Sequence, residues 1–329
     1  MQANFWNNLN KPHFSLAPME DVTDTAFRQL VAELSDPEVL QVVYTEFMST
    51  DGFMHEVGRE HVAHRMLVSQ TEREVLKRKG IKLVAQIWGT DPEKFAETAR
   101  LLTENYDFDG IDLNMGCPVK KVVKQGACSA LIGTPELAVE IIRATQSATY
   151  LPISVKTRIG LNRRVTEAWA ENLLNCNLAA LVVHGRLQKD MSEGLANWDE
   201  IAKAVRVRNK LGVQTPVIGN GDVKSYAHGL ALSAETGVDG LMVGRGIFSN
   251  PWIFNKEITE YTPVHKIETM KRHIELFETF WGENRRFPVI QRFFKIYIAG
   301  FDGAAALRAK VMLAKSVPEV RKVLQSFGF

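Results

Sequence analysis

The chain has 329 residues, 45% hydrophobic and 24% charged with a net charge of +2, as befits a globular protein with a sizeable core. Its three cysteines, Cys117, Cys128 and Cys176, show neither CxxC spacing nor a paired framework, which argues against a disulfide scaffold and a structural zinc site and suits a reducing cytoplasm. No apolar run approaches the ~20 residues that cross a bilayer, and the start Met1-Gln2-Ala3-Asn4-Phe5-Trp6 lacks the basic-then-apolar order of a signal peptide.

From Phe14 to about Ile258, short β-rich apolar runs alternate with helical patterns. Strands are predicted at Phe14–Ala17, Leu40–Thr45, Leu83–Ile87, Gly110–Asn114, Ile153–Lys156, Ala180–Val183, Pro216–Gly219 and Gly240–Val243. Helices are predicted at Pro92–Asn105, Pro135–Ser147, Val165–Asn175, Asp199–Asn209 and Lys224–Thr236. Pro92 and Pro135 stand at helix starts, where a missing N–H costs nothing, and Thr90, Asp91 and Thr134 offer side-chain caps. Continuous apolar strands separated by helices imply parallel strands buried on both faces. Eight such units over ~250 residues fit a closed (β/α)8 TIM barrel, and no GxGxxG follows the first strand to favour a dinucleotide-binding sheet. The charged, histidine-bearing stretch Asp51–Lys79 reads as an inserted excursion.

After Pro263 the alternation stops, and His265–Trp281, Pro288–Ala299, Gly303–Ala314 and Pro318–Gln325 read as helices. The expected organisation is a barrel over 1–262 and a small helical bundle over 263–329. That bundle carries 12 Lys/Arg against 6 Asp/Glu, whereas the rest of the chain carries 28 against 32. A basic end on a slightly acidic body points to a polyanion such as nucleic acid; the plainer alternative is solvated helix faces.

In a TIM barrel the residues just past each strand converge on one mouth. In order these are Pro18-Met19-Glu20, Glu46, Gln86, Asn114 with Cys117, Lys156 with Arg158, His184 with Arg186, Asn220-Gly221-Asp222 and Gly244-Arg245-Gly246. The set has few paired carboxylates for hydrolysis and no cluster of metal ligands, so no metal is expected. The last two strand ends supply small residues and N–H groups where such barrels hold a phosphate, with Arg245 as a charge-assisted donor. Gln86, Lys156 and His184 then face the other end of the ligand, where a flat heterocycle with carbonyls and ring nitrogens fits. Flavin mononucleotide has such a ring and one terminal phosphate. Singly, each of these residues is better read as structural; together at successive strand ends they favour a site.

The segments Leu16–Asp24 with Phe27-Arg28, Thr45-Glu46-Phe47, Gln86–Gly89 and Asp112-Leu113-Asn114-Met115-Gly116-Cys117-Pro118 resemble the tRNA-dihydrouridine synthases. So do Lys121-Val122, Val155–Gly160, Val183–Arg186, Gly194–Trp198, Ile218–Asp222 and Val243–Gly246, while the tail matches more loosely through Lys295-x-Tyr297 and Ala306-Leu307-Arg308. The chain departs from the family pattern at Glu20-Asp21, where a small residue and glycine usually follow the methionine, and at Gly126-Ala127-Cys128-Ser129, which replaces a glycine- and alanine-rich turn.

The resemblance implies an FMN-dependent enzyme with NADPH (or NADH) as reductant. It would reduce the C5–C6 bond of uridines in tRNA or another structured RNA, as a cytoplasmic monomer. It implies that Pro18, Met19, Glu20, Gln86, Lys156, His184, Asn220, Gly221, Asp222, Gly244 and Arg245 hold the cofactor. Asn114, Arg158 and Arg186 are expected at the substrate base, and Arg285, Arg286, Arg292 and Lys295 on RNA phosphates, with Arg308 and Lys310 beside them. Cys117 is the expected proton donor to C5, since an unperturbed thiol with a pKa of ~8.5 is largely protonated near neutrality. Its other readings are a nucleophile, which would need a thiolate and a neighbouring base, or an inert buried thiol. Cys128 is a backup. Rival functions are an FMN barrel acting on a free pyrimidine and a non-catalytic RNA-binding barrel.

Overall fold

A computed structural model describes residues 4–257 and 261–329; Met1–Ala3, and Ile258 where the alternation is expected to end, lie outside the described residues. Eight parallel strands close on themselves in chain order. They are β1 (His13–Leu16), β2 (Leu40–Ser49), β3 (Lys82–Trp88), β4 (Gly110–Met115), β5 (Ile153–Arg158), β6 (Ala180–His184), β7 (Val217–Asn220) and β8 (Gly240–Val243). Closure is direct, with His13 of β1 opposite Gly240 of β8 and Leu16 opposite Val243. The predicted strands are all present. β2 runs on to Ser49, and its register with β3 slips between Tyr44 and Phe47.

Apolar side chains occupy both sides of the strands. Val42, Tyr44, Val84, Val182, Ile218 and Met242 fill the barrel interior together with Phe5 and Trp6. Phe5 lies against Gly110 and Trp6 packs at a tilt against His13, both at strand starts. Those aromatics therefore close the end of the barrel where the strands begin, which leaves the opposite end for a site.

The first helix, α1 (Thr25–Leu34), is not announced by the periodicity, because its buried face includes Thr25, Arg28 and Gln29 as well as apolar residues. Asp24 caps it, accepting from the Phe27 N–H at 2.9 Å. The Asp51–Lys79 excursion is helical: α2 (Thr50–Met54), α3 (Glu56–Val62), a 3-10 turn at Ala63–Met66 and α4 (Gln70–Lys79). Arg28 of α1 and Glu72 of α4, both fully buried, pin the excursion to the barrel through Nε–Oε1 at 2.6 Å and Nη2–Oε2 at 2.8 Å. Arg28 also donates to the carbonyls of Thr23 at 2.6 Å and Leu67 at 2.8 Å.

The outer ring continues with α5 (Pro92–Asn105), α6 (Lys120–Val123), α7 (Pro135–Ser147), α8 (Thr166–Leu174), α9 (Trp198–Leu211), α10 (Tyr226–Thr236) and α11 (Gly246–Ser249). Asp91 caps α5 as expected, but Thr134 makes no side-chain cap at α7; its own N–H instead bonds the Leu131 carbonyl.

The C-terminal segment comprises α12 (Pro263–Trp281), α13 (Pro288–Gln291), α14 (Phe294–Tyr297), α15 (Ala304–Leu313) and α16 (Val317–Ser326). The single helix expected over Pro288–Ala299 is two short ones. Bonds from Phe293 N to Ile290 O and from Ile296 N to Phe293 O tighten the chain between them. The tightening seats Phe293 against Phe27 and His273. Ile267, Met270, Ile274 and Phe277 of α12 share one apolar core with Phe27 and Leu30 of α1.

Candidate active site

At the C-terminal ends of the strands lies a cavity of about 530 Å³. The loops bring Pro18, Met19, Gln86, Asn114, Cys117, Lys156, Arg158, His184 and Arg186 to its wall, with Asn220, Gly221, Asp222, Gly244 and Arg245. Phe47, Leu195, Lys224 and Ser249 line it too; none was expected there, although Phe47 and Leu195 fall in segments that resemble the family. Among the described residues no cluster of three or more His, Cys, Asp or Glu is placed to hold a metal.

Two residues expected at the mouth are placed behind it. Glu20 does not line the cavity; Arg65 donates Nε–H to its Oε1 at 2.8 Å. Glu46 lies within the β2 register slip, a kind of irregularity that re-aims side chains. It is buried, and its Oε1 accepts from the Asp21 N–H at 2.7 Å, fixing the loop that carries Met19. Burial and the neighbouring Asp24 push its carboxyl up to about 7.

A chain of hydrogen bonds sets the polar floor. Asp112 on β4 accepts from Ser154 Oγ at 2.6 Å and from Gln86 Nε2 at 2.7 Å. Gln86 Oε1 accepts from Asn114 Nδ2 at 2.9 Å, so the orientation of its amide is determined. Asn114 Oδ1 then accepts the N–H groups of Gly116 at 3.1 Å and Cys117 at 3.0 Å. Asp112 opens the Asp112–Pro118 motif but has no role assigned by it: in strand register it is one more core position, and only the closed barrel puts Ser154 and Gln86 beside it.

The cysteine loop is braced from two sides. Arg158 donates Nε–H to Gly116 O at 2.6 Å and Nη1–H to Met191 O at 2.7 Å and Leu187 O at 3.0 Å. Ser129 Oγ donates to Cys117 O at 2.8 Å, which brings Cys128 alongside. The Cys128 thiol hydrogen-bonds Cys117, and with the Val119 N–H and the charges of Arg158 and Lys156 it holds the Cys117 thiol at about 7 against the opposing effect of burial. Burial keeps Cys128 itself protonated.

Lys156 carries a half-buried ammonium, which desolvation and Arg158 lower to about 8 against the opposing charges of Asp112 and Cys117. It forms no ion pair among the described residues. His184 is held well below its usual range by burial and by Lys156, Arg158, Arg186 and Arg245, so its ring is neutral. Arg186 has only donors, and its Nη1 lies 3.1 Å from His184 Nε2; that nitrogen accepts, and the ring proton sits on Nδ1. Arg186 Nη2 also grips both oxygens of Asp222, at 2.6 and 2.7 Å. Gly221 beside it has φ +130°, and a Cβ there would come within 2.5 Å of Ala196 Cβ. Around Gly244, by contrast, a Cβ would meet nothing closer than Ala17 Cβ at 3.7 Å, so its backbone is open to a ligand.

The tail cations do not enter the cavity. Arg285 stacks on Trp281, 4.0 Å from the ring centroid, and donates to Asp24 Oδ2 at 3.2 Å. Arg292 lies over Phe293 at 4.9 Å, with Nε and Nη2 buried and unbonded. Arg286 and Lys295 are exposed.

A closed parallel barrel with amides, cations and one thiol converging on a cavity at its strand ends defines a (β/α)8 enzyme. The family model for dihydrouridine synthase matches residues 15–327. A probable tRNA-dihydrouridine synthase of Staphylococcus aureus (strain COL) is 41% identical over 329 residues, covering 99% of this chain and 96% of that protein. A probable tRNA-dihydrouridine synthase 2 of Bacillus subtilis (strain 168) is 38% identical over 330 residues, covering 99% and 97%. Among solved structures, a 2-naphthoyl-CoA reductase complex superposes with a TM-score of 0.55 at 10% identity, over 76% of this chain and 52% of that one, a likeness of fold. The chain belongs to the dihydrouridine synthase family, and it is an oxidoreductase.

Proposed function

We propose that this protein reduces the C5–C6 bond of uridines in tRNA, with FMN as its bound cofactor and NADPH or NADH as reductant. The observation that carries the reading is Lys156: a half-buried ammonium without a salt bridge among the described residues, on the wall of a cavity that also offers Gly244 and Arg245. A cation drawn partly out of water, with only the opposing charges of Asp112 and Cys117 near it and no salt bridge, gains from a ligand that supplies counter-charge. A ring that gains negative charge on reduction, joined to one phosphate, meets both ends of that donor set.

When bound, FMN supplies a carrier that accepts two electrons from a nicotinamide and passes hydride to C6 of uracil. Pro18 and Met19 would hold its ring. Gln86, Lys156 and His184 would face its polar edge, and the backbone of Asn220, Gly221 and Gly244 would enclose its phosphate with Arg245. Asp222 keeps Arg186 in place, so its carboxylate acts at one remove. Arg158 likewise acts by bracing the Cys117 loop. Asn114 and Arg186 would orient the uracil.

Cys117 holds the proton that C5 requires. Its Sγ–H is available below about pH 7, and the Cys128 thiol and Val119 N–H stabilise the thiolate left after transfer. The target base must leave its stack to reach the cavity, so the RNA around it is read as a fold. The segment 263–329, with exposed Arg286 and Lys295, is the proposed phosphate-binding part.

Purified protein should be yellow, and nucleoside mass spectrometry of unmodified tRNA incubated with it and NADPH should show dihydrouridine. Cys117→Ala should keep the flavin and its reduction while product formation drops at least a hundredfold, the scale of a lost general acid. A colourless protein that takes up no FMN would sink the cofactor assignment. Full turnover by the alanine variant would remove Cys117 from the reaction.

A further inference from the structure

Leu195, in the loop from β6 to α9, is the most exposed large apolar side chain among the described residues, at 86%. It also lines the cavity that holds Cys117. Leaving a leucine in water forgoes the gain from burying its apolar surface, so a loose loop would tuck it away.

This loop is not loose. Arg186 Nη2 donates to Gly194 O at 2.6 Å, and the Ala196 N–H donates to Asp222 Oδ2 at 2.7 Å. Arg245 Nη2 donates to Ser192 O at 2.9 Å, and Arg158 Nη1 to Met191 O at 2.7 Å. Left-handed backbone at Met191 (φ 50°) and Gly194 (φ 67°) sets the bend. The backbone on either side of Leu195 is thus clamped to the barrel while its side chain stands in solvent at the mouth.

The surroundings indicate what covers it. Lys120, Lys121, Lys124, Arg163, Lys189 and Lys224 follow β4, β5, β6 and β7, are exposed, and form no ion pair among the described residues. One apolar tip within a rim of free cations matches a polyanion that also presents flat apolar faces, which is a stacked nucleic acid. Removing one base from such a stack leaves a gap that an apolar side chain can fill.

We propose that Leu195 is a wedge: its side chain packs on the base next to the target uridine, fills the place that the uridine vacates, and so holds it out toward Cys117. The inference rests on the function proposed above and makes Leu195 a positioning residue for RNA.

The test uses the flavin-loaded full chain and a folded tRNA transcript with 2-aminopurine beside the reactive uridine. Wild type should brighten the probe on binding, and Leu195→Phe should do the same. Leu195→Ser should bind about tenfold more weakly, raise KM more than it lowers kcat, and leave the probe dim at saturation. Full brightening at saturation by the serine variant, or a loss in the phenylalanine variant equal to that in the serine one, would overturn the wedge. A wild type that brightens the probe but forms no dihydrouridine would overturn the proposed function instead, with the fluorescence still judging Leu195.

Discussion

At Cys117 two opposing influences meet. Burial favours the neutral thiol, while the Cys128 hydrogen bond, the Val119 N–H and two nearby cations favour the thiolate and prevail, setting the group at about 7. An acid works only while protonated, so the sign of the pH dependence follows. The single-turnover rate of reduced enzyme with RNA should be level below about pH 7 and fall about tenfold per pH unit above it. Cys128→Ala removes the neighbouring donor and should move that falling limb upward. A profile that stays flat to pH 9, or one unmoved by Cys128→Ala, would contradict this account. The sequence signalled Cys117 through its Gly and Pro flanks, but an unperturbed thiol of ~8.5 was the only expectation open to it. The lowered value comes from Ser129 and Cys128 returning to the loop, a contact that one-dimensional spacing does not encode.

The helices owe their positions to a few buried polar bonds laid over a broad apolar core. Arg28 makes four hydrogen bonds, two to Glu72 and one each to the carbonyls of Thr23 and Leu67, and joins α1, the chain before it and α4. Removing one partner of a buried pair leaves an uncompensated charge, which costs about 3–5 kcal/mol. Arg28→Met should therefore lower the urea midpoint by a corresponding amount with flavin bound or absent; a loss under 1 kcal/mol would mean that the pair contributes little. Asp24 has a comparable part at the next seam, capping α1 with one oxygen while the other accepts from Trp281 Nε1 at 2.8 Å and from Arg285. Arg285, expected on a phosphate, is thereby committed to holding α12 on the barrel. Its charge was legible in the sequence; its partner, more than two hundred residues away, was not.

Across the whole molecule, the core of the barrel wall runs without a break into the C-terminal helices, so cavity and basic tail are held at a set distance. If the tail grips phosphates, charge reversal at exposed positions should act on affinity rather than chemistry. Arg286→Glu with Lys295→Glu should weaken tRNA binding and flatten its salt dependence by about one to two phosphate contacts, with flavin content unchanged. Filter binding across a salt series measures this; an unaltered slope would place the RNA elsewhere. The free cations around Leu195 make the barrel mouth the other surface to compare.

What the sequence by itself determined is the alternation of strands and helices, the barrel it closes into, and most of the residues that gather at the mouth. Those follow from apolar periodicity, proline placement and position after a strand, all of which are local in the chain. The tertiary structure alone decided which way each mouth residue faces: Glu20 toward Arg65, Glu46 behind the Met19 loop, Asp222 onto Arg186, Arg285 onto Asp24 and Trp281. It also decided the relay from Ser154 through Asp112 and Gln86 to Asn114. The reason is physical: a buried polar group takes its partner from whatever the closed fold brings within 3 Å, and closure sets residues far apart in the chain side by side.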